Sequence, residues 1–583
     1  MSNNIDNDYF CDGITEEIIN ALTTVNGLKV IARTSSFAFK NKNIDVRHIG
    51  NQLGVATVLE GSIRVFQKRI RITAQLINTI DGGHFWSSNF DRELSDIFEL
   101  QDEISLLIAD KIRENFGHFE VNEQLVEHPN ISTHAYQNFL KAKKLTSQFN
   151  KHAILKGISI LKGIIEKFPN FALAHVYIHY AYNSMAAGGL MPVKDAFNIG
   201  EVYLKKSHEL NVNLPEVHHS FGWNALNKNW DFKTANLHLQ KALKLKPGYS
   251  DAHQKLFITL ILEGNFTDAN YHINKAYSLD PLNDLNNYFM AYNAYVNKDF
   301  QGVNIYFNRC FEINNRFIVG YGIYALALAL QNKPQEIINV ANRLPEIEGA
   351  KVEHLIMTTI AFCLQDKKEK QKANIKALLL LLESDSRERV RFFLIYIYTL
   401  IGKYDAALDM MEIGIMHKEP LMTLLKVDPL LLPLQKLDRY NTYLQTIFAL
   451  SNEQLVKEEV IVKQLFSKTQ EKQCKALLLK IMEEDQLFLN SDLSLRIMAQ
   501  KLNINANQMS WLLNFSFKKN FNDFINQYRL NHFKRIALDP KFKHITILGL
   551  AYDSGFNSKS VFNTFFKKTE GVTPSHWVKS KGN

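Results

Sequence analysis

The stretch Ile545-Thr-Ile-Leu-Gly-Leu-Ala-Tyr-Asp-Ser-Gly555-Phe-Asn-Ser-Lys-Ser-Val-Phe-Asn-Thr-Phe-Phe-Lys-Lys568 reads as helix, turn, helix. Gly555 permits the turn. In the helix that follows from Ser558, Val561, Phe562, Phe565 and Phe566 recur at helical spacing and point inward. Its outer side shows Lys559, Ser560, Asn563, Thr564 and Lys567. Upstream the pattern occurs once more. Leu493-Ser-Leu-Arg-Ile-Met-Ala-Gln-Lys-Leu502 is a first helix, Asn503 to Asn505 a turn, and a second helix starts at about Ala506. There Met509, Leu512 and Leu513 point inward, and Asn507, Gln508, Trp511 and Asn514 lie opposite. Between the two units Phe521, Phe524, Ile525 and Tyr528 stripe a linking helix.

Short polar Asn, Gln, Ser and Thr with a long Lys are the side chains a major-groove reader needs. Asn and Gln bridge the two major-groove groups of adenine, and Lys reaches guanine. Two such helices on one rigid support would enter successive major grooves about one helical turn apart. The charge agrees. Residues 486–583 hold 14 Lys and Arg against 5 Asp and Glu, whereas the first 485 residues hold 54 of each. A basic excess confined to one small domain is the footprint of a polyanion binder.

Phe524-Ile-Asn-Gln-Tyr-Arg-Leu530, Gly555-Phe-Asn-Ser-Lys-Ser560 and Phe565-Phe-Lys-Lys568 with Gly571-Val-Thr-Pro574 resemble the AraC family of transcription regulators. The resemblance covers roughly Lys475 to Lys579 and implies a seven-helix domain with two helix-turn-helix units. Asn507, Gln508, Ser510 and Trp511 in the first unit, and Lys559, Ser560, Asn563 and Thr564 in the second, are then expected to contact bases. Lys534, Arg535, Lys567 and Lys568 are expected to hold phosphates. Trp511 stands where many members carry a polar or basic residue, and Lys518 replaces a frequent glycine. Packing on a neighbouring helix is the alternative place for Trp511.

The middle of the chain repeats. Ala235, Ala269 and Val303 are 34 residues apart, as are Ala242, Ala276 and Cys310, and Leu245, Leu279 and Ile313. Pro247 and Pro281 share a phase, Gly264-Asn-Phe266 marks a helix–helix turn, and Ile401-Gly-Lys-Tyr-Asp-Ala-Ala407 is a faded later copy. Earlier copies show at Phe168-Pro-Asn170 and Leu214-Pro-Glu216, separated by an insertion around Gly188-Gly189. The period resembles tetratricopeptide repeats, each a helix pair. Such arrays leave a long concave surface, which implies a protein or peptide partner, or a role as spacer or dimerisation element. Histidines gather here: His175 and His179, His218-His219, His238, His253 and His272. Helix-packed histidines are expected, with no metal, since no third ligand can be named.

Near the start, Gly13 to Thr24 reads as a helix, Leu28 to Ala32 as a short buried strand, and Val46 to Leu53 as a helix. Ile63, Val65, Ile70, Ile72, Ala74 and Leu76 then alternate with Arg64, Arg69, Arg71, Thr73 and Gln75 around a bend at Gln67-Lys68, which is a hairpin. Tyr9-Phe-Cys-Asp-Gly-Ile-Thr-Glu-Glu17, Leu59-Glu-Gly-Ser62 and Phe98-Glu-Leu-Gln-Asp-Glu103 resemble the TolB-N-like domain. Members usually place an apolar strand before the first motif. Here only eight residues precede Tyr9, so a truncated start or another strand capping the sheet edge is expected. Arg33-Thr-Ser-Ser36 after the strand is a candidate anion cradle.

No GxxxxGK[ST] loop and no GxSxG elbow occurs, so no enzyme, catalytic residue or cofactor is expected. Four separated cysteines and a polar start fit a cytoplasmic protein. No apolar run reaches the ~18 residues of a membrane span. The expected fold is mainly α, with four parts. These are a TolB-N-like α/β domain at 1–117, a helical repeat array at 130–450, a connecting helix at 451–473 and an AraC-type all-α domain at 474–583. The expected partners are double-stranded DNA and a protein or peptide on the array, with a homodimer compatible with both. The expected function is sequence-specific transcription regulation, with partner sensing by the other domains. An interaction scaffold that no longer reads specific DNA is the alternative.

Overall fold

A computed structural model of the chain describes residues 5–126, 129–147, 150–187, 190–191, 193–347, 349–384, 387–448 and 465–581. The insertion at Gly188-Gly189 and positions 451–464 of the expected connecting helix lie outside the described residues.

The N-terminal domain is a three-stranded antiparallel meander, β1 (Thr57–Phe66), β2 (Arg69–Asn78) and β3 (His84–Glu93), covered on one face by α1 (Ile5–Thr23) and α4 (Ile97–Phe116). The alternation seen in the sequence sets the register. Ile70, Ile72, Ala74 and Leu76 are buried under the helices while Arg69 and Arg71 face solvent. Gln67 takes a left-handed φ of 54° at the bend. Two short helices, α2 (Arg33–Phe37) and α3 (Val46–Leu53), lie between α1 and the sheet.

Two expectations are corrected. The first helix begins at Ile5 rather than Gly13. Leu28 to Ala32 forms no strand, because the Ala32 N–H is spent on the Leu279 carbonyl of the repeat array at 2.8 Å. Strand β3 leaves little trace in the sequence, since His84 to Glu93 lacks a clean alternation. The anion cradle does meet an anion, supplied by the protein itself. Ser35 donates its N–H and its hydroxyl to the Asp280 carboxylate at 3.0 and 2.5 Å, and Arg33 pairs with Glu16 at 3.1 Å.

The array consists of helix pairs. They are α5 and α6 (Thr133–Thr146, Lys151–Lys167), α7 and α8 (Ala172–Ala187, Val193–Leu210), α9 and α10 (Pro215–Asn224, Phe232–Leu245), and α11 and α12 (Ser250–Glu263, Phe266–Leu279). Then come α13 and α14 (Asp284–Val296, Phe300–Ile313), α15 and α16 (Ile318–Leu330, Pro334–Ala341), α17 and α18 (Ala350–Leu364, Lys368–Leu380), and α19 and α20 (Arg387–Leu400, Tyr404–Met416). A side-chain cap opens three successive second helices. Asp231, Asn265 and Asp299 accept the N–H of Thr234, Asp268 and Gly302 at 2.9, 3.3 and 3.0 Å. One left-handed residue precedes each cap, at Trp230, Gly264 and Lys298, with φ of 57°, 92° and 58°. The backbone keeps this turn at Asn332 and Asp366, where the side-chain signature fades. Ala235, Ala269, Val303, Ala242, Ala276 and Cys310 are all fully buried between helices.

The histidines serve the same repeat. His218 and His253, like Asn287 and Tyr321 after them, hydrogen-bond the carbonyl six residues back, at Val212, Pro247, Pro281 and Asn315. His218 also meets His238, and His253 meets His272, ring nitrogen to ring nitrogen at 2.9 and 2.8 Å. Burial lowers His238, His253 and His272 to about 4, which keeps these imidazoles neutral.

Short 3-10 turns at Pro420–Val427 and Pro429–Leu431 and the helix α21 (Asp438–Phe448) close the array. Asp428 is buried there and accepts the hydroxyls of Tyr295 and Tyr396 at 2.7 and 2.9 Å. Burial raises its carboxyl from 3.8 to about 6, so the folded state holds a proton that the unfolded state releases. The stability it confers is therefore full below about pH 4 and is lost as pH rises through 6. Asp428→Asn cannot ionise, so its stability relative to the native chain is expected to gain about 2 kcal/mol between pH 4 and 7. Urea midpoints across that range measure it; a pH-independent gap rejects the assignment.

Candidate nucleic-acid interface

Seven helices form the C-terminal domain: α22 (Lys468–Glu483), α23 (Leu495–Lys501), α24 (Ala506–Trp511), α25 (Phe521–Ala537), α26 (Ile547–Asp553), α27 (Lys559–Glu570) and α28 (Pro574–Lys581). They enclose two apolar cores joined by α25. Phe521, Phe524 and Ile525 belong to the first core, and Leu530, Phe533 and Ile536 to the second. Where the cores meet, Arg529 is buried and donates to the carbonyls of Phe488 and Asn490, both at 2.8 Å. Burial without a carboxylate partner pulls its pKa down to about 10. Lys518, at the position of the frequent glycine, takes a left-handed φ of 56°.

In the second unit, α26 and α27 flank the turn at Gly555. Thr546 caps the first helix by accepting the Gly549 N–H at 3.1 Å, and Ser558 caps the second by accepting the Val561 N–H at 3.1 Å. Phe562 and Phe566 are buried as expected. Lys559, Ser560, Asn563 and Thr564 are all exposed on the outer face of α27, with Lys567 and Lys568 exposed at its C-terminal end. Lys568 lies 3.3 Å from Asp523, and Arg535 is exposed on α25. Lys534 is engaged within the domain. Its ammonium is 3.0 Å from the Glu570 carboxylate and 5.3 Å from the Trp577 ring, and ties α25 to the end of α27.

The first unit holds its expected contact residues differently. Asn505 and Gln508 form a reciprocal cap at the start of α24, and Gln508 Nε2 also donates to the Leu465 carbonyl at 3.0 Å. Ser510 is fully buried. Trp511 takes its alternative place: its ring stacks on Phe515 at 5.2 Å and lies 5.5 Å from Phe466. Asn507 is held by the N-terminal domain. It accepts from Arg113 Nη1 at 2.7 Å and from the Val121 N–H at 3.0 Å, and donates to the Val121 carbonyl at 3.0 Å. The second unit is open and the first is occupied. Sequence reading missed Asp110, Arg113, Glu114 and Val121, because charged residues three and four apart on a helix are the ordinary mark of a solvated face.

A separate cleft of about 1040 Å³ lies between the N-terminal domain and the first repeats. Glu17, Lys143, Tyr177, Glu216 and Lys246 are among its lining residues, with Asn122 and Leu125 from the segment after α4.

Residues 498–580 match the family described as a helix-turn-helix domain. The C-terminal region thus carries a helix-turn-helix domain, and the array before it is built of successive helix pairs. A curated relative, a putative adenylate cyclase 3 of Rhizobium meliloti (strain 1021), is 41% identical over 175 residues, which are 30% of this chain and 30% of that protein. Among solved structures, Pseudomonas aeruginosa pilF is 14% identical with a TM-score of 0.27, covering 36% of this chain and 95% of that one. A tetratricopeptide repeat protein from Parabacteroides merdae is 13% identical with a TM-score of 0.28, covering 40% of this chain and 93% of that one. Among the described residues no helix is long and apolar enough to cross a membrane.

Proposed function

We propose that the chain is a non-catalytic, sequence-specific DNA-binding transcription regulator of the cytoplasm, in which the repeat array and the N-terminal domain sense or bind a partner. The observation that carries this reading is the outer face of α27. Lys559, Ser560, Asn563 and Thr564 stand exposed in one row, backed by Lys567 and Lys568, on a domain whose charge is strongly basic. Polar donors and acceptors over bases with cations over phosphates is the division of labour a major-groove helix needs. The cleft of about 1040 Å³ between the N-terminal domain and the repeats supports the reading that this part of the chain binds a partner.

The engaged state of Asn507, Gln508, Ser510 and Trp511 favours the second reading, an interaction scaffold without sequence preference. Selection from a random duplex pool with the full chain separates the two. Enrichment of a motif containing at least one half-element supports the regulator. Tight low-salt binding with no enriched motif supports the scaffold.

A further inference from the structure

The face of α4 that meets the C-terminal domain is polar and charged, and it is turned onto the first helix-turn-helix unit and the start of α25. Asp110 pairs with Arg496, and the Glu114 carboxylate accepts the N–H of Leu495 at 2.9 Å. Asn115 accepts from Asn520 through its carbonyl at 2.9 Å and from Asn522 through its side chain at 2.8 Å. Asp110, Arg113 and Glu114 are each at most 3% exposed, whereas Arg496 keeps 48% of its side chain in solvent.

Part of the chemistry presented to the first unit matches that of a duplex. A side-chain amide reads adenine by meeting one acceptor and one donor side by side. The main chain of Val121 offers that pair to Asn507, and Arg113 supplies a further donor. Anionic oxygens meet Arg496 and the main-chain N–H at the start of α23, the groups a phosphate would meet as that helix crosses the backbone. The match covers Asn507, Arg496 and the start of α23, while Gln508 and Trp511 are held by Leu465, Phe466 and Phe515.

We propose that residues 110–121 are an internal stand-in for DNA, an interaction surface with two mutually exclusive partners. The first unit binds either this segment or a duplex. In the arrangement described, the chain meets DNA through its second unit alone. The inference rests on the DNA-binding reading above. Opening is reversible in kind, because the separated groups are charged or polar and rehydrate readily.

The test uses the full chain in two forms and a duplex of roughly four helical turns enriched from a random pool on the first form. That form, Asp110→Asn/Glu114→Gln, loses the anionic part of the mimic. It is expected to bind at least about tenfold tighter than the native chain. Its footprint lengthens from one half-element to two, and its salt dependence steepens as more phosphates are neutralised. The other form, Asn115→Cys/Asn522→Cys, keeps every charge and is locked by a short reducible thiol cross-linker placed across the site of the 2.8 Å side-chain contact. Locked, it keeps the short footprint at all concentrations; reduced, it matches the native chain. Equal affinity and equal footprints for native, charge-altered and locked chains overturn the stand-in while leaving DNA binding intact. Failure of every form to enrich a motif overturns the DNA-binding reading, and the stand-in with it.

Discussion

Gly555→Ala is expected to destabilise the C-terminal domain by about 4 kcal/mol, enough to melt its second core in most molecules. Two costs combine. The backbone sits at φ 90°, which an L side chain tolerates poorly, and an added Cβ would lie 2.3 Å from the Phe488 carbonyl oxygen. That oxygen is not free to retreat, because it accepts from Arg529 at 2.8 Å, and Arg529 Nε itself would lie 3.0 Å from the new atom. Pushing it away leaves a buried guanidinium short of an acceptor. Gly571→Ala is the matched control: its φ is 75°, but nothing lies within 4 Å of the added atom. That variant should lose only about 1 kcal/mol. Amide hydrogen exchange in α25, α26 and α27 compares the two. Equal loss of protection would mean that the close approach of backbone to backbone is unimportant.

Asn563→Ala is expected to cost about 10- to 100-fold in preference for a selected duplex over a random one, with little change on the random one. The amide is exposed at the middle of the α27 outer face and has no internal packing to lose. Lys567→Ala should instead weaken both duplexes alike and reduce the salt slope by about 1. Lys567 suits this comparison better than Lys568, whose ammonium already faces Asp523 at 3.3 Å. Fluorescence anisotropy at several salt concentrations gives both numbers. An equal drop on the two duplexes for Asn563→Ala removes base reading from α27.

Much of this architecture is written locally, and those parts were legible. The helices around Gly555, the inward Phe562 and Phe566, and the alternation of β2 each follow from a period and a turn residue within a dozen positions. The repeat was legible because three successive copies reuse the same buried small residues and a side-chain cap, at Asp231, Asn265 and Asp299. What escaped is long-range. Ala32 has nothing in its neighbours to announce a hydrogen bond to Leu279. The first recognition helix looks as free in sequence as the second. Only the fold brings Val121 to Asn507, and a main-chain N–H and C=O are present at almost every residue, so their use leaves no trace in residue type. Trp511 was readable in either direction, and its rings decide for packing.

The two sides of the contact between α4 and α23 are 381 residues apart in the chain, from Glu114 to Leu495. A ribosome adding roughly 5–20 residues per second leaves the earlier side waiting for about 20–75 s before its counterpart exists. An apolar face waiting that long would stick to whatever nascent surface came near. Asp110, Arg113, Glu114 and Asn115 can instead stay hydrated until the last helices emerge. The polarity of this joint thus suits the order in which the chain is made.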